Sequence, residues 1–150
     1  MTVDFGFAKS PRMTVASISW SGPSSEQRIR AQFERVERWA RAQRLRTGRW
    51  VFREPGDRRW EAGIEVRGQA KGSDGIRVRA LPAATVARVV FDPEQVSPRL
   101  VYHGLSDWLR WRRRDKTIRS VVSTRELYSG NPWTDRKAWS RTEVQFVVRK

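Results

Sequence analysis

The chain has no cysteine. That excludes disulfides, thiolate zinc sites and thiol catalysis, and it fits a cytoplasmic protein. Histidine is almost as scarce. The single one, His103, leaves no histidine-based metal cluster and gives a Ser-His-Asp triad little to stand on. Long hydrophobic runs are missing too: no stretch reaches the roughly 18 apolar residues of a membrane span. The opening "MTVDFGFAKSPRMTV" lacks the apolar segment of a secretion signal. Negative charge is thin, with 16 Asp and Glu against 31 Lys and Arg, a net charge of +15.

What is present is enough for one domain. The 150 residues, 38% of them hydrophobic and without a long Gly/Ser tract, suffice for a single core. Most of the positive charge is arginine, and there are 8 tryptophans. Arginine with aromatics is the composition of phosphate-backbone and single-strand binders, and equally of a basic chain from an arginine-preferring proteome. Charge of this kind speaks to partners and solubility, not to fold.

Periodicity supplies the elements. Residues 12–20 alternate, with Ala16, Ile18 and Trp20 on one face, and predict a strand. Ser24 with Gln27 three residues on is a capping-box pattern. Ile29, Phe33, Val36 and Ala40 then follow at helical spacing, which predicts an amphipathic helix over 25–43. Short strands are expected at 49–52 and 60–68, with a Pro-Gly turn at 54–57 between them. A polar, Gly-rich linker occupies 69–75. Strands are expected at 76–81 and 84–91. A helix over 98–112 follows, with Ser97 as N-cap, Pro98 at its first position and cations at its end. "SVVSTRELY" and 142–150 read as the last strands.

The order repeats. Val15 aligns with Val86, Pro23 with Pro93, Phe33 with Tyr102, Trp39 with Trp108, and Arg53-Glu54 with Arg125-Glu126, at offsets of 69 to 72 residues. Residues 12–68 and 76–148 are therefore two βαββ units of one domain spanning 1–150. The fold expected is α+β: an antiparallel sheet with pseudo-twofold symmetry, both helices on one side, and a groove where the halves meet. Ligand sites favour such junctions.

"STRELYSGNPW" (123–133) lies at that junction. Side chains alternate along a strand, so Glu126 and Tyr128 share a face opposite Leu127. They are either the polar floor of a pocket or part of a solvated strand on which Glu126 pairs with one of the many arginines. Glu65 and Glu143 read as surface or ion-paired groups, and His103 as a helix-surface residue. Trp133, after Asn131-Pro132, is placed to fold over the groove beside Glu126. Trp39 and Trp108 are open between core and groove lining. The runs "RARAQRLRTGR" and "RWRRRDK" are solvated helix ends or, alternatively, a phosphate track.

"VASISWSGP", "FERVERWARAQRL" followed by "TG", "IRVRALPAATVARV", "LSDWL", "RELYSGNP" and "TEVQFVV" together resemble the GyrI-like small-molecule-binding domain. This is also the effector-binding domain of AraC- and MerR-type multidrug regulators. The most specific piece is Glu126-x-Tyr128-x-x-Asn131-Pro132. The resemblance implies a duplicated βαββ fold and a groove lined by aromatics. It also implies a glutamate, here Glu126, that meets cationic aromatic ligands, with Tyr128, Trp39 and Trp108 at matching positions; Trp133, Phe52 and Trp20 are further candidate walls read from this chain. Some similar stand-alone proteins are hydrolases of strained cyclopropane rings, in which Glu126 and Tyr128 would be the catalytic pair. A haem-binding family shares the duplicated fold, but His103 does not supply its chemistry. No cofactor and no metal is expected, given the absence of cysteine and the single histidine. The chain departs from the family pattern at "VVFDPEQ" (89–95) and "WVFREPGD" (50–57), and in its high charge. The expected partner is an aromatic or cationic small molecule. An alternative expectation is a DNA- or gyrase-associated interaction protein using the Arg-rich face, with any DNA contact weak and non-specific, and no membrane partner is expected.

Overall fold

The computed structural model describes residues 3–56 and 58–150. Along the chain the elements are β1 (Gly6–Ser10), β2 (Met13–Ser21), α1 (Glu26–Ala42), β3 (Arg46–Gly56) and β4 (Arg59–Arg67). Then come β5 (Arg77–Leu81), β6 (Ala84–Phe91), α2 (Pro98–Arg114), β7 (Ser120–Tyr128), α3 (Arg136–Ser140) and β8 (Thr142–Arg149). No helix among the described residues is long and apolar enough to cross a membrane.

All eight strands join one antiparallel, curled sheet in the order β1-β6-β8-β7-β3-β4-β2-β5. The order reads the same from both ends once each strand is replaced by its counterpart in the other half. The pseudo-twofold therefore runs between β3 and β7, where Arg53 pairs directly with Arg125. The edges obey the same symmetry. β1 lies on β6 with Gly6 opposite Arg88, and β5 lies on β2 with Arg77 opposite Ser17. Both differences, 77 − 6 and 88 − 17, equal 71. Each half therefore lends its leading strand to the edge of the other, an exchange invisible to local periodicity.

Both helices pack on one face of the sheet. α1 buries Phe33, Val36, Trp39 and Ala40 on Ala16, Ile18, Trp20 and Ile64. α2 buries Val101, Leu105 and Leu109 on Ala87, Val89, Val144 and Phe146. The opposite face carries a small apolar cluster, including Val15, Val51 and Leu127, beside buried ions. There Glu61 Oε2 accepts from Arg53 at 2.7 Å and from Arg79 at 2.6 Å. Among the described residues Arg125 has no carboxylate partner, and it donates to Gln145 Oε1 at 2.7 Å and Ser10 Oγ at 2.8 Å. Burial first, then the neighbouring Arg53 and Arg49, pull its pKa down to about 10.

Several details differ from the sequence reading. The cap of α1 is Ser25, whose hydroxyl accepts from the Arg28 amide at 3.2 Å, and not Ser24. Counting from Ser25, the third helical residue is Arg28, so Gln27 is out of register for the reciprocal bond of a capping box. β3 covers 46–56 rather than 49–52, because β4 and β7 pair with it on both sides and extend its ladder. It runs through the expected 54–57 turn as far as Gly56, and Asp57 lies outside the described residues. Ser97 precedes α2 without a side-chain cap bond, and Pro98 does take the first turn. The linker 69–75 is tied to α1: Trp39 Nε1 donates to Ser73 Oγ at 2.9 Å, and Arg35 donates to the Asp74 carbonyl at 2.6 Å.

Candidate functional site

β7 carries Glu126 beside the pseudo-axis, opposite Phe52 on β3 and Val144 on β8. Strand alternation sends Arg125 and Leu127 to the far face and leaves Glu126 and Tyr128 under the helices. The gap between α1 and α2 above them is a cavity of about 300 Å³. Phe33 and Ile29 of α1 line one side, Tyr102 and Pro98 of α2 the other. Phe52, Phe91, Trp133 and Trp139 complete the aromatic wall.

Glu126 is held from two directions. Tyr102 Oη donates to its Oε1 at 2.5 Å, and Tyr128 Oη donates to its Oε2 at 2.6 Å. Both phenols have pKa values raised well above the ordinary range. Burial is the largest cause, and the Glu126 charge and the hydrogen bond to it add to it. Both hydroxyls therefore stay protonated and act as donors, and Glu126 is their acceptor. These two residues are the only tyrosines in the chain.

The remaining walls are aromatic. Phe33 stacks on Trp50 with centroids 5.0 Å apart, and Trp133 tilts against Phe33 at 5.9 Å. Phe52 stacks on Trp60 at 6.0 Å. Trp133 is fixed at the rim, where its indole N–H donates to Glu26 Oε1 at 3.2 Å and its amide to Asn131 Oδ1 at 2.9 Å. Asn131-Pro132 thus turns the chain so that Trp133 faces the cavity. The charged residues lining the cavity are the carboxylates Glu26 and Glu126. None of the 31 Lys and Arg residues lines it.

The structure gathers Glu126, Tyr128, Phe52 and Trp133 at this cavity and places three expected walls elsewhere. Trp39 lies in the α1 core under the 69–75 linker. Trp108 packs against Phe5 and Phe7 at the β1 end of the sheet. Trp20 is buried beneath α1, with the Arg28 guanidinium 5.7 Å from its ring centre. In each case the large ring is needed to fill core or to cover a sheet edge. Glu65 pairs with Arg49 at 3.3 Å and Glu143 with Arg88 at 3.0 Å, both on the far face. His103 is exposed on α2. Among the described residues no cluster of His, Asp or Glu could hold a metal ion.

Tyr102, Phe33, Glu26 and Trp139 were not singled out as site residues. The repeat contained the signal for two of them, because Phe33 and Tyr102 are counterparts and both face the cavity. The same symmetry explains why the clamp forms once. The counterpart of Glu126 is Glu54, which is exposed, and the counterpart of Tyr102 is Phe33, which has no hydroxyl to donate.

No family model and no curated protein sequence matches the chain. Solved structures match its fold. The C-terminal domain of EcmrR superposes with a TM-score of 0.77 at 21% identity, covering 100% of this chain and 99% of that one. Of the EcmrR chain in its DNA complex, this chain spans 58%. SAV2435 bound to tetraphenylphosphonium gives a TM-score of 0.56 at 12% identity over 97% of this chain and 94% of that one. A hydrolase from Listeria innocua gives 0.56 at 8% identity over 96% and 91%. At these identities the likeness is one of fold, and the fold is the one implied by the resemblance to GyrI-like effector-binding domains.

Proposed function

We propose that the chain is a small-molecule-binding domain whose ligand is a lipophilic aromatic cation. The ligand lies between α1 and α2, with Glu126 as its counter-charge and Phe33, Phe52, Tyr102, Tyr128 and Trp133 as walls. One observation carries this reading: in a chain of net charge +15, the cavity is lined by aromatics and two carboxylates and by no basic residue. A carboxylate in such a setting attracts a cation, and each ring face adds about 0.5–2 kcal/mol of cation–π attraction. The two phenols fix the carboxylate before the ligand arrives, which lowers the ordering cost of binding. SAV2435, which shares the fold, is a protein whose complex holds such a cation.

The hydrolase reading uses the same groups and is less well supported. Each oxygen of Glu126 already accepts a hydrogen bond. That suits a fixed counter-charge better than a group that must pass protons in every turnover.

Titration with tetraphenylphosphonium, followed by calorimetry or tryptophan fluorescence, tests the proposal. The native chain should bind one equivalent. Glu126→Gln keeps the shape and removes the charge, and should cost about 1–3 kcal/mol, the range for a charge-assisted hydrogen bond. Equal affinity in the two proteins would overturn the assignment of Glu126 as counter-charge.

A further inference from the structure

A second site of opposite charge lies at the far end of α2. Arg110, Arg113 and Arg114 from its last turns, Lys116 and Arg119 from the segment after it, and Lys150 beside β8 surround an open hollow of about 800 Å³. The Arg119 amide donates to the Arg149 carbonyl at 2.7 Å, which brings the two segments together. Among the described residues no ion pair involves Arg113, Arg114, Lys116, Arg119 or Lys150. The nearby carboxylates are already engaged, Asp107 with Arg110 at 3.7 Å and Asp115 with Arg112 at 3.0 Å.

Trp111 stands next to this hollow, 61% exposed. It lines a smaller recess with Asp107, Arg110 and Arg114; the two arginines also line the hollow, so ring and cations form one surface, and Asp107 is the carboxylate already paired with Arg110. The Arg114 guanidinium lies 5.2 Å from the ring centre. Cations at a helix C-terminus complement its dipole, which accounts for the arginines of α2. It does not account for Lys116, Arg119 and Lys150, which converge from other segments. Nor does it explain a large exposed indole among them.

We propose that this surface binds single-stranded nucleic acid, with phosphates in the cationic hollow and a base stacked on Trp111. The pairing of a basic track with an aromatic platform is what unpaired strands require. A duplex keeps its base faces stacked inside and has no use for the indole. This site is separate from the cation cavity and does not depend on its assignment.

The test is fluorescence anisotropy with labelled 15-residue oligothymidylate and oligouridylate, and with a duplex of the same length, between about 20 and 200 mM salt. If about three phosphates are neutralised, the slope of log K against log salt is about −2 for single strands, so affinity falls about a hundredfold over that range. Trp111→Ala should weaken both single strands by about tenfold, leave duplex binding unchanged and leave tetraphenylphosphonium binding unchanged. The triple change Arg113→Gln, Lys116→Gln, Arg119→Gln should flatten the salt slope, and only its first member lies in the helix. Unchanged affinity in Trp111→Ala, tighter binding of duplex than of single strand, or equal competition by polyglutamate of matched charge would each overturn it. The last outcome would point instead to an acidic protein surface.

Discussion

Glu126 was legible because strand alternation has a short period and an unusual residue stands out against it. A carboxylate and a phenol two apart on a strand must share a face, and only the identity of that face was open. Tyr102 was not legible in the same way. On an amphipathic helix an aromatic reads as part of the buried stripe, and nothing local says that its hydroxyl reaches a carboxylate on another strand. The clamp has a measurable consequence at high pH. Both phenol pKa values are raised in the folded state, whereas unfolded tyrosine ionises near 10. The stability this contributes is fully present below pH of about 10 and is lost above it, as the unfolded chain releases protons that the folded chain retains. Thermal melting temperature should therefore drop above about pH 10. Because these are the only two tyrosines, tyrosinate absorbance should rise only together with unfolding. A phenol titrating near pH 10 in the intact fold would contradict the clamp. Trp133→Ala removes one ring face from the cavity and should weaken tetraphenylphosphonium binding by about 0.5–2 kcal/mol, read by calorimetry. No change would place Trp133 outside the binding surface.

At the scale of elements, the long periodic ones were readable, as was the short β5, expected at 76–81, whereas β1 and α3 were not. α1 and α2 each present several apolar positions at helical spacing, enough to fix them within a few residues. β1 has five residues and pairs with β6 of the other half, so no local pattern announces it. α3 has only five residues and owes its start to Asp135, whose carboxylate accepts from the Lys137 amide at 3.0 Å. Glu61 shows why burial on the far face of the sheet was not readable: alternation sets it with Glu65 opposite the apolar Ala62 and Ile64, on what reads as a polar face, and its partner Arg79 comes from the exchanged strand β5. That ion cluster ties β3, β4 and β5 together. Glu61 is 1% exposed, so Glu61→Gln leaves Arg53 with no carboxylate in a buried setting. Removing one partner of a buried pair typically costs about 3–5 kcal/mol, and the low end applies here because Arg79 is partly solvated. Urea denaturation should show a loss of about 3 kcal/mol, and a loss below about 1 would mean the cluster is far better hydrated than its burial implies.

At the scale of the whole molecule, the duplication was readable because its offset is nearly constant, and it located the groove before any side chain was placed. What it did not reveal is how charge is divided. The acidic, aromatic cavity faces out between the helices, while unpaired cations collect at the end of α2. The two surfaces should respond to salt in opposite ways. A net charge of +15 repels an approaching organic cation, and that repulsion reaches only about a Debye length, roughly 10 Å at 0.1 M salt and longer at lower salt. Added salt screens that long-range repulsion strongly and screens the contact with half-buried Glu126 much less. The association rate of tetraphenylphosphonium, measured by stopped-flow tryptophan fluorescence, should therefore rise between about 20 and 200 mM salt while its dissociation rate changes little. Over the same range a single strand on the cationic hollow is released. An association rate for the cation that falls with salt would mean that the cavity mouth carries an attractive field strong enough to outweigh the charge of the whole chain. The carboxylates Glu26 and Glu126 would then steer the ligand from a distance rather than only hold it in place.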